Sequence, residues 1–172
     1  LQYRDYVYVS NSHSIIKALL RLFENDWQFS VSLNQPFPTF NPIPPICQES
    51  LIVSPTGASS KLISFIQKAK KTLDITSELL GNPTLESELF AAVLKGVRVE
   101  LISPEIVNGA TPQDQALQLT SLTALKAASI DVHVTTLPES TEFPYIHLRT
   151  IIADKKIAYI GSISFSRDSI TF

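Results

Sequence analysis

Between residues 51 and 134, short β-branched runs alternate with longer amphipathic stretches, and few architectures accommodate that rhythm. Residues 51–53 read as a strand, and the turn SPTGAS leads into a helix over about 60–71 with Leu62, Ile63, Phe65, Ile66 and Ala69 on its apolar face. A strand follows over 73–77, with Leu73 and Ile75 on one side and Asp74 and Thr76 on the other. Asn82-Pro83 opens the next helix, and Gly96 stands where a helix takes its left-handed C-terminal residue. Residues 97–102 alternate again, Thr111-Pro112 opens a helix to about 128, and residues 132–134 form another short strand. Strands separated by whole helices run parallel, because the helix is the crossover that returns the chain to the same end of the sheet.

The rhythm breaks at the end. Only a few residues separate the strand ending at Ala153 from the one starting at Ile157, so these two form an antiparallel hairpin. The predicted fold class is therefore α/β: a mixed, largely parallel sheet flanked by helices on both faces, with a C-terminal antiparallel hairpin. Ahead of this unit, YVYV at 6–9 reads as a strand, and Asn11 or Ser12 caps a helix to about Asn25, with Trp27 expected to plug that helix onto the core. His13 falls in the first helical turn, on the surface. Pro36, Pro38, Pro42, Pro44 and Pro45 then make residues 29–49 a long connection between structural units, with Cys47 in it read as a core residue. The expected division is 1–28, the 29–49 linker, and an α/β unit over 50–172. The chain lacks methionine and begins at Leu1, and it is expected to be a fragment of a longer protein.

The net charge of −2 gives no electrostatic case for a nucleic-acid or anionic-membrane partner. No apolar run reaches the roughly 18 residues needed to span a bilayer. A single cysteine leaves the compartment undetermined.

Chemistry concentrates in YIHLRTIIADKKIAYIGSISFSRDSITF, residues 145–172. Strand alternation puts Tyr145, His147, Arg149 and Ile151 on one face. With Asp154-Lys155 as a two-residue turn, Ala153 pairs with Lys156, and Ser162 and Ser164 join His147 and Arg149. Asp154 lies about 23 Å from His147 along the strand, too far to orient it, and reads as a turn former satisfying local backbone donors. Histidine, guanidinium and hydroxyls on one face suit an oxyanion, phosphate above all. The structural alternative is a buried strand histidine beside a surface arginine. His133 reads as packing or surface, and Lys68, Lys70 and Lys71 as a solvated helix end.

HLRTIIADKKIAYIGSIS resembles the signature of the phospholipase D superfamily: His-x-Lys, four residues, Asp, six residues, Gly-Ser-x-Asn. His147, Asp154, Gly161 and Ser162 match at the required spacing, while Arg149 stands for lysine and Ser164 for asparagine. Residues 52–104 are similar to the first βαβαβ section of a repeat in that family, and residues 3–27 to the segment after the first signature in two-repeat members. The resemblance implies phosphodiester hydrolysis or phosphatidyl transfer through a phosphohistidine, with two signatures facing each other and neither metal nor cofactor. It implies that His147 is the second-repeat histidine, more often the general acid, that Arg149 clamps phosphate and would tolerate lysine, and that Ser162 and Ser164 bind phosphate. Asp154 and Gly161 are then structural. Glu78, just past the 73–77 strand, either orients His147, contacts substrate or is a solvated loop acid. The implied partners are a phosphodiester, phospholipid favoured over nucleic acid, and the other repeat of the same protein or a second copy of the chain. A degenerate, non-catalytic repeat kept as a structural or binding partner, and a phospholipase D-type nuclease, are the alternatives.

Overall fold

The computed structural model describes residues 3–30, 50–54, 57–135 and 145–167. Cys47 and residues 31–49 of the expected linker lie outside the described residues, as do Pro138 and Pro144. In chain order the elements are β1 (Tyr3–Arg4), α1 (His13–Phe29), α2 (Ala58–Gln67), β2 (Thr72–Ser77), α3 (Pro83–Leu94) and β3 (Arg98–Pro104). After these come α4 (Pro112–Ala127), β4 (Asp131–Thr135), β5 (Tyr145–Ile146), β6 (Arg149–Ala153) and β7 (Ile157–Ile160). Five strands form one sheet in the order β4-β3-β2-β6-β7, and β1 pairs with β5 in a separate parallel pair.

The α/β reading holds, and α3 and α4 start where local capping chemistry says they must. Asn82 Oδ1 accepts from the Thr84 and Leu85 N–H groups, both at 3.1 Å, with Pro83 in the first turn where no N–H is missed. Gly96 takes φ 84° behind α3, a left-handed conformation that only glycine enters cheaply. Thr111 Oγ1 accepts from the Asp114 N–H at 3.2 Å at the head of α4. β2, β3 and β4 are parallel, while β6 runs antiparallel to β2 and β7 to β6.

In-register pairing lines up Leu73 with Val99 and Ala153, and Ile75 with Leu101 and Ile151, on one sheet face. Leu62 and Ile66 of α2, Leu85 and Leu89 of α3, and Leu122 and Leu125 of α4 close over that face. Burying each such leucine or isoleucine contributes about 1.5–3 kcal/mol. Helices α3 and α4 lie side by side there because β2, β3 and β4 step outward in one direction, so successive right-handed crossovers use the same side, and α2 packs beside α3; among the described residues the helices thus cover one sheet face, not both as expected.

Four further expectations are corrected. Residues 51–53 do not join the sheet; Ile52 packs against the core, and the Leu51 carbonyl accepts from Lys61 Nζ at 2.8 Å. Residues 6–9 form no strand, since the pairing with β5 stops at Arg4. Trp27 does not plug α1 onto the core: it is 71 % exposed and stacks on Phe23 at 5.9 Å between centroids. The hairpin register is one residue off the two-residue turn. Ala153 pairs with Ile157, leaving a three-residue turn in which Asp154 and Lys155 both have positive φ.

Asp154 explains that turn. Its carboxylate accepts from the backbone N–H groups of Lys70, Lys71 and Thr72, while its own N–H donates to the Thr72 carbonyl at 2.9 Å. The donors are not local to the turn, as expected, but belong to the entry into β2. The Thr72, Lys71 and Lys70 amides, in that order, hold the Asp154 carboxyl below the usual carboxylate range.

Candidate active site

The end of β2 delivers Glu78 to the place where the sheet turns from parallel to antiparallel, with Ser77 directly opposite Arg149. Loop 78–82 is stitched to the segment after β7: the Asn82 N–H donates to the Phe165 carbonyl at 2.8 Å, and the Phe165 N–H to the Leu79 carbonyl at 3.1 Å. From the opposite side, buried Gln118 of α4 accepts from the Leu80 N–H at 2.8 Å and donates to Ser103 Oγ and the Pro104 carbonyl. Glu78 is thus presented on a braced loop, with its side chain only 11 % exposed.

Three alternate positions of the β5–β6 stretch converge on that carboxylate, as the shared strand face requires. Tyr145 Oη donates to Glu78 Oε1 at 3.0 Å. Arg149 Nη2 donates to Glu78 Oε2. His147 Nε2 stands 3.5 Å from the same Oε2. Glu78 is thus not solvated but buried against Tyr145 and Arg149, 3.5 Å from His147.

The other imidazole nitrogen faces a residue that the sequence reading missed. His147 Nδ1 lies 3.0 Å from Asp5 Oδ1. Asp5 arrives there because β1 pairs with β5 and the His147 N–H donates to the Arg4 carbonyl at 3.3 Å. Nothing local signals this contact across 142 sequence positions. Tyr145 and Gln118 were also missed, though both left a trace. Tyr145 shares the strand face of His147, and Gln118 interrupts the buried stripe that continues through Ser121, Leu122 and Leu125.

The two serines separate. Gly161 now lies beside Arg149, its N–H donating to the Arg149 carbonyl at 3.2 Å, and Ser162 is exposed. The bend after β7 still returns Ser164 to the cluster, where its Oγ accepts from Arg149 Nε at 2.8 Å. Gly161 has a structural reason of its own: a Cβ there would stand 2.6 Å from Tyr159 Cζ. Burial pushes the Tyr159 hydroxyl pKa up, and the Ile163 N–H and the Arg149 charge partly oppose that. Asp154 sits at the far hairpin end, away from the cluster. His133 is on the surface, 3.3 Å from Asp131. Among the described residues no group of three or more His, Cys, Asp or Glu is placed to hold a metal ion.

The arrangement is an imidazole between two carboxylates, with one guanidinium beneath it. Neutral histidine needs one nitrogen to donate and the other to accept, and Asp5 as acceptor at Nδ1 and Arg149 Nη1 as donor at Nε2 both favour Nδ1 as the donor. That leaves Nε2 to take or release a proton.

A family model described as "Cardiolipin synthase, PLD-like domain" matches residues 62–172, more than half of the chain, including β2 through β7 and, of the cluster, Glu78, Tyr145, His147, Arg149 and Ser164 but not Asp5. A search of curated proteins finds no match. Among solved structures, Nuc from Salmonella typhimurium, a phospholipase D family member, superposes with a TM-score of 0.56 at 20% identity, covering 68% of this chain and 71% of that one. NucT from Helicobacter pylori is also 20% identical, with a TM-score of 0.49 and coverage of 64% and 68%. The likeness to Nuc is one of fold. On the family match, this chain belongs to the phospholipase D-like domain family, within the phospholipase D superfamily.

Proposed function

We propose that this chain supplies one half of a two-histidine active site for phosphodiester hydrolysis or phosphatidyl transfer. The observation that carries the reading is His147, held at Nδ1 by Asp5 with Nε2 turned to Glu78 and Arg149, inside the segment matched by the family. Residues 1–28 are then the tail of a preceding repeat, and 50–172 the second repeat. In the reaction, a histidine of the other half forms an N–P bond as the P–O bond to the leaving alcohol breaks. The proton on His147 Nε2 goes to the departing oxygen. Water or an acceptor alcohol then returns a proton to Nε2 as its oxygen attacks phosphorus and the N–P bond breaks.

Two features favour phospholipid over nucleic acid as the substrate. The family description names cardiolipin synthase, and Asp5 and Glu78 offset the charge of Arg149, whereas a nucleic-acid groove gathers uncompensated cations. One observation favours the non-catalytic alternative: the Arg149 guanidinium is already held by Glu78 and Ser164.

The experiment is turnover by the protein that carries this chain together with its preceding repeat. Phosphatidylglycerol, phosphatidylcholine, bis-p-nitrophenyl phosphate and single-stranded DNA serve as substrates. Release or transfer of the phosphatidyl group is the expected result. Cleavage of DNA alone would make the nuclease reading correct, and no turnover of any diester would leave the non-catalytic repeat.

A further inference from the structure

His147 Nε2 stands almost equally far from two opposite charges, 3.4 Å from Arg149 Nη1 and 3.5 Å from Glu78 Oε2. Those charges are themselves an ion pair, with side chains 14 % and 11 % exposed, while the His147 side chain is 39 % exposed. Arg149 is gripped through all three nitrogens. Nε donates to Ser164 Oγ at 2.8 Å, Nη1 to the His147 carbonyl at 3.0 Å, and Nη2 to Glu78. Glu78 is fixed in turn by the Tyr145 hydroxyl, which itself accepts from the Asn108 N–H at 3.0 Å. A guanidinium that clamps substrate oxygens presents its fork to the open side. This one has all three nitrogens engaged by protein groups and its side chain only 14 % exposed.

We propose that the Glu78–Arg149 pair is a positioning device for His147, and that Arg149 acts through the imidazole and not on substrate oxygens. A bare Nε2 needs a donor, and Arg149 Nη1 offers one. A protonated Nε2 needs an acceptor, and Glu78 Oε2 stands at nearly the same distance. A ring that gives up a proton and takes it back therefore finds a partner in both states, with Asp5 accepting from Nδ1–H in each and Arg149 Nη1 holding Nε2 as the acceptor in the neutral ring. The groups facing this device are Asp5 after β1, Glu78 after β2, Tyr145 of β5, Arg149 of β6 and Tyr159 of β7, which lies within reach of the Arg149 charge. The catalytic use of the device rests on the proposed phosphodiester reaction; the tautomer it imposes does not.

Long-range 1H–15N correlation spectra of the histidine-labelled chain, above the pH at which the rings titrate, read that tautomer directly. The exposed His13 serves as an internal reference. His147 is expected as the Nδ1–H tautomer, and Arg149→Gln is expected to relax it toward the mixture shown by His13. An Nε2–H tautomer in the unaltered chain, or an unchanged tautomer in folded Arg149→Gln, overturns the proposal. A second measurement needs no variant: saturating inorganic phosphate should leave the Arg149 Nε–H resonance unmoved, and a shift of that resonance establishes a clamp instead. In the active protein, Arg149→Lys should lower kcat about tenfold or more, with KM within about threefold. That is the reverse of the tolerance implied by the signature alone. A raised KM with kcat intact overturns positioning. Absence of turnover in the unaltered protein would sink the reaction but leave both spectroscopic outcomes to decide the device.

Discussion

At residue scale, Gly161 shows how a signature position can be structural and still serve the site. Its backbone N–H is bonded to Arg149, and Tyr159 folds back so closely that no side chain fits at 161. Gly161→Ala should cost about 1–3 kcal/mol by overpacking, measured by denaturant unfolding. The cost should shrink when Tyr159→Leu is added, and an equal cost in both backgrounds would show that Tyr159 is not the obstacle. His147 and Arg149 were legible because strand alternation places them together, Ser164 because signature spacing marks it although the bend after β7 and not the expected register brings it to Arg149, and Glu78 because strand ends in α/β sheets collect functional groups. Ser162 was assigned to the cluster through a register that the structure shifts by one residue. Asp5 was illegible because its contact depends on β1 docking beside β5, and two-residue pairings leave no pattern to read.

At element scale, the β6–β7 hairpin is locked at both ends, by the stitched loop at the site and by the Asp154 clasp at the turn. The clasp has a pH signature. Its folded pKa is lowered, so the stability it contributes is fully present above the ordinary aspartate value of about 4 and is lost as pH falls through the lowered folded value. The melting temperature of the unaltered chain should therefore exceed that of Asp154→Asn at neutral pH, and the gap should close in acid. A gap independent of pH would mean the carboxylate charge is not what the three amides bind. Helices α3 and α4 and strands β2 to β4 were readable from caps and periodicity because local and tertiary preferences agree there. The 6–9 run failed because β-branched residues mark a strand only when a neighbour offers its edge. The turn length failed because Asp154 is held by the entry into β2, a partner outside the local sequence.

At the scale of the whole molecule, the described parts divide into a well-packed α/β unit and a helix whose apolar side stays in water. Ile16, Leu19, Leu20, Phe23 and Trp27 of α1 are all exposed. Amphipathic spacing made α1 easy to find, but it cannot say whether a partner covers the stripe, so the expected Trp27 plug did not materialise. Trp27 is the chain's single tryptophan and reports on this directly. Its fluorescence should have a water-exposed maximum in the native chain, and Trp27→Ser should change the stability of the α/β unit by no more than about 0.5 kcal/mol. A blue-shifted native emission would place it in a core after all. No helix among the described residues is long and apolar enough to cross a membrane.

Catalysis by this half-site requires that the nitrogen held between Glu78 and Arg149 move a proton during phosphodiester cleavage. The most direct measurement is kcat on bis-p-nitrophenyl phosphate for the protein carrying both repeats, with and without His147→Ala. Loss of about 10²- to 10⁴-fold, the usual contribution of a positioned acid–base group, is the predicted result. An unchanged kcat would contradict it.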